Sequence, residues 1–152
     1  MDRLENAVFT NMCMIYDNEG NILVQNRLNK NWPGITFPGG HVEANESFVK
    51  STIREVKEET GLDVSNLKLC GIKHFTDPIK NYRYIVFYYK TNSFSGNLKS
   101  SSEGEVFWIK RSELQNLKLA SGFMDMLKVF ESEDLSENYF YYNEGTWNRE
   151  DY

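Results

Sequence analysis

The chain has 152 residues, of which 40% are hydrophobic and 26% charged, a composition typical of a soluble globular protein. Its net charge of −5 and the lack of a long basic run argue against binding to the backbone of a nucleic-acid polymer. A single nucleotide remains compatible with that charge if cations screen its phosphates. The length predicts one domain that covers residues 1–152.

The first residues, MDRLENAVFTNMCMIYD, lack the basic start and apolar stretch of a signal peptide. No segment approaches the run of about 18 apolar residues that a transmembrane helix needs. Cys13 and Cys70 both lie in apolar, strand-like segments, which is typical of reduced, buried thiols rather than of a disulfide. Together these features predict a cytoplasmic protein with no membrane segment.

The N-terminal third contains two strand-like segments, residues 7–16 and 21–25, on either side of a turn signal at 17–20. This arrangement predicts a β-hairpin. Residues 27–35, rich in Asn, Pro and Gly, predict a loop. The loop leads into Pro38-Gly39-Gly40, which interrupts regular structure and permits a tight backbone path.

The remainder of the chain alternates between helical and strand-like patterns. A helix is predicted from Ser47 to Thr60, with Gly61 as its C-cap. Three strands are predicted over 67–75, 82–89 and 105–109, a loop over 93–104, and a second helix over 121–131. The aromatic and acidic tail, 139–152, has no assigned structure. The order of elements predicts a mixed sheet sandwiched between helices.

The first helix carries its acidic residues next to its apolar face. At about 100° per residue, the apolar side chains span roughly 0° to 140° and form the predicted buried stripe: Phe48, Val49, Ile53 and Val56. Glu58, Glu55 and Glu59 fall near about 280°, 340° and 20°, whereas solubilising charges belong on the opposite side of a helix.

Such a cluster of carboxylates is self-repelling unless something offsets it. Glu55 and Glu59 are an i,i+4 pair of like charges, which is unfavourable on an isolated helix. A bound Mg²⁺ ion would reverse that interaction, because hard dications prefer carboxylate oxygens. Arg54 is a candidate orienting partner, and the backbone of Gly39-Gly40 can reach a ligand closely. The alternative on the helix alone is a solvated acidic surface.

Residues 40–62 resemble the signature motif of the Nudix family, the Nudix box. Its pattern is G-x5-E-x7-R-E-U-x-E-E-x-G-U, with U a bulky aliphatic residue. All nine fixed positions within 40–62 are filled, by Gly40, Glu46, Arg54, Glu55, Val56, Glu58, Glu59, Gly61 and Leu62. The chain resembles in particular the MutT-like 8-oxo-dGTP diphosphatases of Gram-positive bacteria, in segments such as NMCMIYD, FPGGHVE, GIKHF and RYIVFYYKT.

The resemblance implies the Nudix fold, an α/β (α+β) sandwich with a mixed sheet between helices, and an enzyme that hydrolyses a nucleoside diphosphate linked to another group. For 8-oxo-dGTP the products are the monophosphate and pyrophosphate, an activity that serves DNA repair by cleaning the nucleotide pool. The implied cofactor is Mg²⁺, with Mn²⁺ as a substitute. The implied partner is a small-molecule nucleotide, and the protein is a monomer or a homodimer.

Two other readings stay open. The same chemistry serves other substrates in this family, such as dinucleotide polyphosphates, nucleotide sugars and RNA 5′ ends. A Nudix-fold module can also bind a nucleotide without cleaving it. That reading predicts the loss of box carboxylates, and all of them are present here.

Family roles carry over residue by residue. Glu55, Glu58 and Glu59 are implied as metal ligands, with the carbonyl of Gly40 or Gly39 adding an oxygen. Arg54 orients the catalytic carboxylates and Glu46 supports the junction of loop and helix. A further catalytic and metal-binding glutamate is implied three residues before a tryptophan, where Glu105 precedes Trp108 and Glu103 is the neighbouring substitute. Glu59, Glu55 and Glu105 are the candidates for the general base.

The substrate-binding residues are less constrained by the pattern. Arg27 resembles an arginine that binds substrate phosphate, and an exposed loop cation is the equal alternative. Gly39, Thr36 and Asn11 are candidate contacts of the substrate, the last two with the base. Candidates for stacking on the base are Phe75, Tyr82 and Tyr84. Ordinary packing is the alternative for each side chain of this pocket.

Overall fold

The computed structural model describes residues 2–152. Its elements, in chain order, are β1 (Ala7–Ile15), β2 (Asn21–Arg27), β3 (Gly34–Thr36), α1 (Phe48–Thr60), β4 (Asp63–Ser65), β5 (Lys68–Thr76), β6 (Arg83–Thr91), β7 (Ser93–Ser95), β8 (Gly104–Lys110), a 3₁₀ turn (Arg111–Asn116), α2 (Phe123–Glu131), β9 (Glu137–Asn143) and β10 (Thr146–Asp151). No helix in this range has the length and apolarity to cross a membrane.

The strands form a large mixed sheet and two smaller antiparallel sheets. The five-stranded sheet has the order β1-β6-β5-β9-β10, in which β1 runs parallel to β6 and β5 parallel to β9, while the other neighbours are antiparallel. The three-stranded sheet has the order β3-β2-β8, and β4 pairs with β7. The fold class predicted from the sequence, a mixed sheet between helices, is confirmed.

The predicted N-terminal hairpin is wrong. β1 and β2 belong to different sheets and are joined only by an isolated bridge between Tyr16 and Ile22. The turn at 17–20 does form, because the Asp17 carboxylate accepts hydrogen bonds from the backbone of Glu19 and Asn21. Local turn signals predict a change of direction, but they do not determine which distant strand each neighbour pairs with.

Helix α1 has the ends that the sequence predicted. The Ser47 hydroxyl accepts a hydrogen bond from the Lys50 amide at 3.3 Å, and Gly61 ends the helix in the left-handed region at φ 77°. The predicted buried stripe is only partly correct, because Phe48 and Val49 are each 39% exposed. The buried face of the helix consists of Ser51, Thr52, Val56, Glu59 and Thr60. A glutamate therefore lies within the buried face itself.

Two hydrophobic clusters hold these layers together. One is formed by side chains of α2 and of both larger sheets, with Phe37 in edge contact with Phe123 and Phe130. The other lies under α1 and includes Val56, Leu23 and Cys13. Cys13 and Cys70 are free thiols, as expected from the sequence, and burial raises the pKa of both.

The C-terminal tail, unassigned from sequence, is the β-hairpin of β9 and β10 and extends the large sheet. Its two-residue turn contains Glu144 at φ 50° and Gly145 at φ 84°, the positive angles that a type I′ turn needs. The sequence Asn-Glu-Gly-Thr between two aromatic runs was the signal that could have predicted it. Two predicted loops also contain short strands. The loop at 27–35 includes the first two residues of β3, and the loop at 93–104 includes all of β7.

Candidate active site

The segment 38–42 lies along the free edge of β1 and faces the start of α1. The backbone amide of Asn11 donates to the Gly40 carbonyl, and that of Cys13 donates to the Pro38 carbonyl, both at 2.9 Å. The side chain of Asn11 reinforces this contact, since its Oδ1 accepts from the Gly40 amide at 3.1 Å and its Nδ2 donates to the Ser51 hydroxyl at 3.0 Å. The segment is thus fixed to both the sheet and the helix.

Both glycines of this segment occupy positions where a side chain would collide. A Cβ on Gly39 would lie 2.1 Å from the Asn11 carbonyl oxygen. A Cβ on Gly40 would lie 2.3 Å from the carboxylate of Glu55. Gly40 therefore lets the backbone lie close to the Glu55 carboxylate, and Gly39 lets the segment pack against β1, which accounts for the Gly-Gly pair in physical terms.

Glu59 is the most buried carboxylate of the site, at 5% exposure. Its Oε2 accepts a hydrogen bond from the Gly39 amide at 2.9 Å. Burial raises the pKa of Glu59 to about 7, and the negative charges of Glu55 and Glu103 add to that shift, while the Gly39 amide and the positive charge of Arg27 oppose it. A positively charged ligand here would offset the cost of this buried acid.

The two other box glutamates of α1 differ in exposure. The carboxylate of Glu55 is mostly buried, and burial raises its pKa. The side chain of Glu58 is 56% exposed. Both accept hydrogen bonds from Nη1 of Arg54, at 2.9 Å for Glu55 and 3.2 Å for Glu58.

Within residues 2–152, no three His, Cys, Asp or Glu side chains converge closely enough to form a ready-made metal centre. The predicted ligands nevertheless fit a divalent cation in chemistry. Glu55 and Glu59 are adjacent acids with raised pKa values, and the Gly40 backbone borders the Glu55 carboxylate with no side chain between them. A hard dication with several retained waters suits such a set of oxygen donors.

Arg54 donates hydrogen bonds both to the loop before α1 and to the carboxylates of α1. Its Nε and Nη2 donate to the two carboxylate oxygens of Glu46, at 2.8 and 2.9 Å, and Nη2 also donates to the His41 carbonyl at 3.1 Å. The Arg54 guanidinium lowers the pKa of Glu46 to about 2. With Glu55 also bound, this one guanidinium ties the loop to the helix.

Replacing Arg54 by Lys is expected to lower kcat by about tenfold to a hundredfold and to lower Tm, because a single ammonium cannot reproduce the planar fork that holds Glu46 and Glu55 together. Arg111→Lys is the matched control, since Arg111 forms a fork with Glu131 at 2.7 and 2.8 Å outside this site. Steady-state kinetics and thermal melts would compare the two. An R54K variant with unchanged kcat would show that the fork does not position Glu55.

The structure corrects the position expected for Glu105. Side chains alternate along a strand, and Val106 and Trp108 of β8 pack in the cluster under α1, so Glu105 points to the other side of the sheet. Glu103, just before the strand, instead contributes negative charge at Glu59. Glu103 lies outside β8 and is not bound by its alternation, whereas Glu105 lies inside the strand.

Two predicted base contacts have other roles in the structure. Thr36 is fully buried in the core, with its hydroxyl 4.0 Å from the Met12 sulfur, so a ligand has no access to it. Asn11 is 4% exposed and uses both ends of its amide to hold the loop and the helix. Asn11 is therefore a positioning residue, a role that only the fold could reveal.

Arg27 lies between the acidic helix and a group of aromatic side chains. Its guanidinium carbon is 5.7 Å from the centre of the Trp32 ring, and its Nε is buried without a hydrogen-bond partner among the described residues. Its charge acts on Glu59 and on Tyr84. An unsatisfied buried N–H beside a carboxylate site fits the predicted contact with an anionic group.

Three aromatic side chains of the large sheet form a surface that we call the aromatic wall: Phe75, Tyr84 and Trp147. Phe75 and Tyr84 stack with centroids 5.3 Å apart, and Trp147 of the C-terminal hairpin meets Phe75 edge-on at 5.6 Å. Tyr82 lies before β6 in a turn, where its carbonyl accepts from the Asp77 amide. A separate groove of about 880 Å³ between the end of α1 and residues 96–101 shares only Glu58 with this site.

The model of the NUDIX domain matches residues 9–130, and the chain belongs to the Nudix family. Enzymes of this family hydrolyse phosphoric anhydrides with a divalent metal, and this chain is a hydrolase of that class.

Three curated relatives and one solved structure illustrate the match. An uncharacterized Nudix hydrolase, YvcI, of Bacillus subtilis is 34% identical over 116 residues, 72% of this chain and 70% of its own. An ADP-ribose pyrophosphatase of Methanocaldococcus jannaschii is 31% identical, covering 76% of this chain and 69% of its own. An 8-oxo-dGTP diphosphatase of Haemophilus influenzae is 31% identical, covering 53% and 57%. The MutT protein of Bacillus halodurans aligns with a TM-score of 0.76 at 28% identity, covering 94% of this chain and 97% of its own.

Proposed function

We propose that the protein hydrolyses a nucleoside triphosphate to the monophosphate and pyrophosphate in a Mg²⁺-dependent reaction, with 8-oxo-dGTP as its substrate, and so serves DNA repair by cleaning the nucleotide pool. The observation that carries this proposal is the close approach of the Gly39-Gly40 backbone to Glu55 and Glu59, with Arg27 alongside. The similarity to an 8-oxo-dGTP diphosphatase supports the choice of substrate.

The roles of the residues follow from their surroundings. Glu55, Glu58 and Glu59 provide the acidic face on which a divalent cation is held, together with the Gly40 carbonyl. When bound, that cation neutralises phosphate charge and activates water for attack on phosphorus. Glu59, the most buried of these carboxylates, is the candidate to accept the proton of the attacking water.

Arg27 binds a phosphate group of the substrate, in addition to its electrostatic effect on Glu59. Its buried, unpartnered Nε gains a hydrogen bond only when a ligand arrives, and phosphate oxygens satisfy a guanidinium well. The arginine lies between Glu59 and the aromatic wall, so phosphates bound there would leave the nucleoside directed toward Tyr84 and Trp32.

A panel of substrates with Mg²⁺ tests the proposal. We expect kcat/KM for 8-oxo-dGTP to exceed that for dGTP and for ADP-ribose, with pyrophosphate released from the triphosphates and all activity lost on chelation by EDTA. The ratio of kcat/KM values is the measure of discrimination. Equal rates for 8-oxo-dGTP and dGTP would contradict the assignment of substrate while leaving the hydrolase class intact.

ADP-ribose is the second candidate substrate, because a relative covering 76% of this chain is an ADP-ribose pyrophosphatase. The same panel separates the two candidates by product. ADP-ribose yields AMP and ribose 5-phosphate without free pyrophosphate, so a dominant AMP signal would favour this second function.

A further inference from the structure

Lys73 is a partly buried cation that has no role in the catalytic site described above. It lies on β5, with its ammonium 4.8 Å from the centre of the Phe140 ring and 5.8 Å from that of Trp32. Among residues 2–152, the ammonium forms no ion pair with a carboxylate, and it donates a hydrogen bond to the Met126 sulfur at 4.0 Å. Burial lowers the pKa of the Lys73 ammonium, since no acid compensates for the lost hydration.

The location of Lys73 relates it to the proposed substrate. Trp32 has Arg27 at 5.7 Å and Lys73 at 5.8 Å from the centre of its ring, so the indole links the two cations. Arg27 in turn acts electrostatically on Glu59. Lys73 is therefore one aromatic ring further from the acidic helix than the proposed phosphate-binding arginine, on the side where the nucleoside is expected.

The same face of the sheet provides surfaces on which a base can stack. Lys73 and Phe75 are two residues apart on β5 and share one face, and Phe75 stacks on Tyr84 at 5.3 Å. Phe75 also meets Trp147 at the exposed end of this face, where Trp147 is 49% exposed. A partly exposed cation among aromatic rings is arranged to receive a flat, electron-rich ligand.

We propose that Lys73 is a specificity-determining residue, which donates hydrogen bonds to ring-carbonyl oxygens of a 6-oxopurine base and so favours guanine-type bases, oxidised or not, over adenine. A lysine ammonium has three donors and no acceptor, so only an acceptor on the ligand satisfies it. The 6-position of guanine offers a carbonyl oxygen, whereas that of adenine offers an amino group that cannot pair with another donor. The inference rests on the proposed function in that the ligand is a purine nucleotide.

Lys73→Met tests this role, because methionine retains the apolar length of the side chain and removes its donors. We expect the ratio of kcat/KM for 8-oxo-dGTP and for dITP, relative to dATP, to fall by about tenfold to a hundredfold, as hydrogen bonds to charged groups are worth that much. Tm should stay the same or rise, because an unpaired, half-buried charge is removed. Lys68→Met, at an exposed position on the same strand, is the matched control and should change neither ratio nor Tm.

Binding without turnover separates this inference from the proposed function. In EDTA, calorimetric titration of 8-oxo-dGMP and dAMP into the native protein should favour 8-oxo-dGMP, and K73M should lose that preference by the same factor. If no nucleotide is hydrolysed but the binding preference is lost in K73M, the function fails and the role of Lys73 stands.

Lys73→Gln provides a second variant with a different expected result. Its amide can present either a donor or an acceptor, so discrimination should weaken in favour of dATP while binding of both nucleotides persists. An unchanged ratio in K73M or K73Q, or equal losses for guanine-type and adenine nucleotides, would overturn the assignment and leave Lys73 as a packing residue.

Discussion

Replacing Glu59 by Gln is expected to lower kcat/KM by about 10³-fold or more while leaving the protein folded. The substitution removes a negative charge from the acidic face and a group able to accept a proton, each of which contributes about two orders of magnitude or more in comparable sites. The fold should survive because a glutamine Oε1 can still accept the hydrogen bond that the Gly39 amide now donates to Glu59. Thermal melts and steady-state kinetics on the best substrate of the panel measure the two effects.

Stability should even increase in this variant. Glu59 is a buried acid whose pKa is raised by burial and by the neighbouring charges of Glu55 and Glu103, so a neutral amide removes a repulsive interaction. Glu43→Gln is the matched control, since Glu43 is exposed and lies outside the nine fixed positions of the box. Activity within a factor of a few of the native value in E59Q would remove Glu59 from the catalytic machinery.

Much of this site could be predicted because helical geometry is local. The positions of Glu55, Glu58 and Glu59 on one arc follow from their spacing, and the capping residues Ser47 and Gly61 define the ends of the helix. Helical spacing does not predict how deeply each side chain is buried. It predicted an apolar stripe starting at Phe48, whereas the structure leaves Phe48 39% exposed and buries Glu59.

Other parts of the site depend on non-local contacts. The sequence makes Asn11 a candidate contact of the base, but the Gly40 amide of the loop and the Ser51 hydroxyl of α1 pair with the two ends of its side-chain amide. Glu105 is a candidate by its distance from Trp108, but side chains alternate along β8, and the packing of Val106 and Trp108 under α1 turns Glu105 to the other side of the sheet. Nothing in the immediate sequence of Lys73 indicates that its ammonium lies beside the rings of Trp32 and Phe140.

Gly40→Ala should abolish most activity, by about 10²–10³-fold, with little loss of stability. A Cβ at this position would lie 2.3 Å from the Glu55 carboxylate, so one of the two must move. The carboxylate is the end of a flexible side chain and moves at low cost, but its displacement disturbs its contact with Arg54 and the acidic face that the reaction needs. A displacement of about 1 Å in a catalytic group is enough for a loss of this size.

Gly39→Ala is the informative partner of this variant, because its Cβ would meet backbone instead. The Asn11 carbonyl oxygen would lie at 2.1 Å, with the Asn11 carbonyl carbon and Met12 Cα also within 3 Å, and none of these atoms can rotate away. We expect G39A to lose at least about 1–3 kcal/mol of the free energy of unfolding, the usual cost of overpacking, and its activity to fall with the folded fraction. Denaturant titrations and kinetics on both variants would thus distinguish a glycine that makes room for a catalytic carboxylate from one that makes room for the sheet. Equal destabilisation in the two variants would show that Gly40, too, has only a structural role.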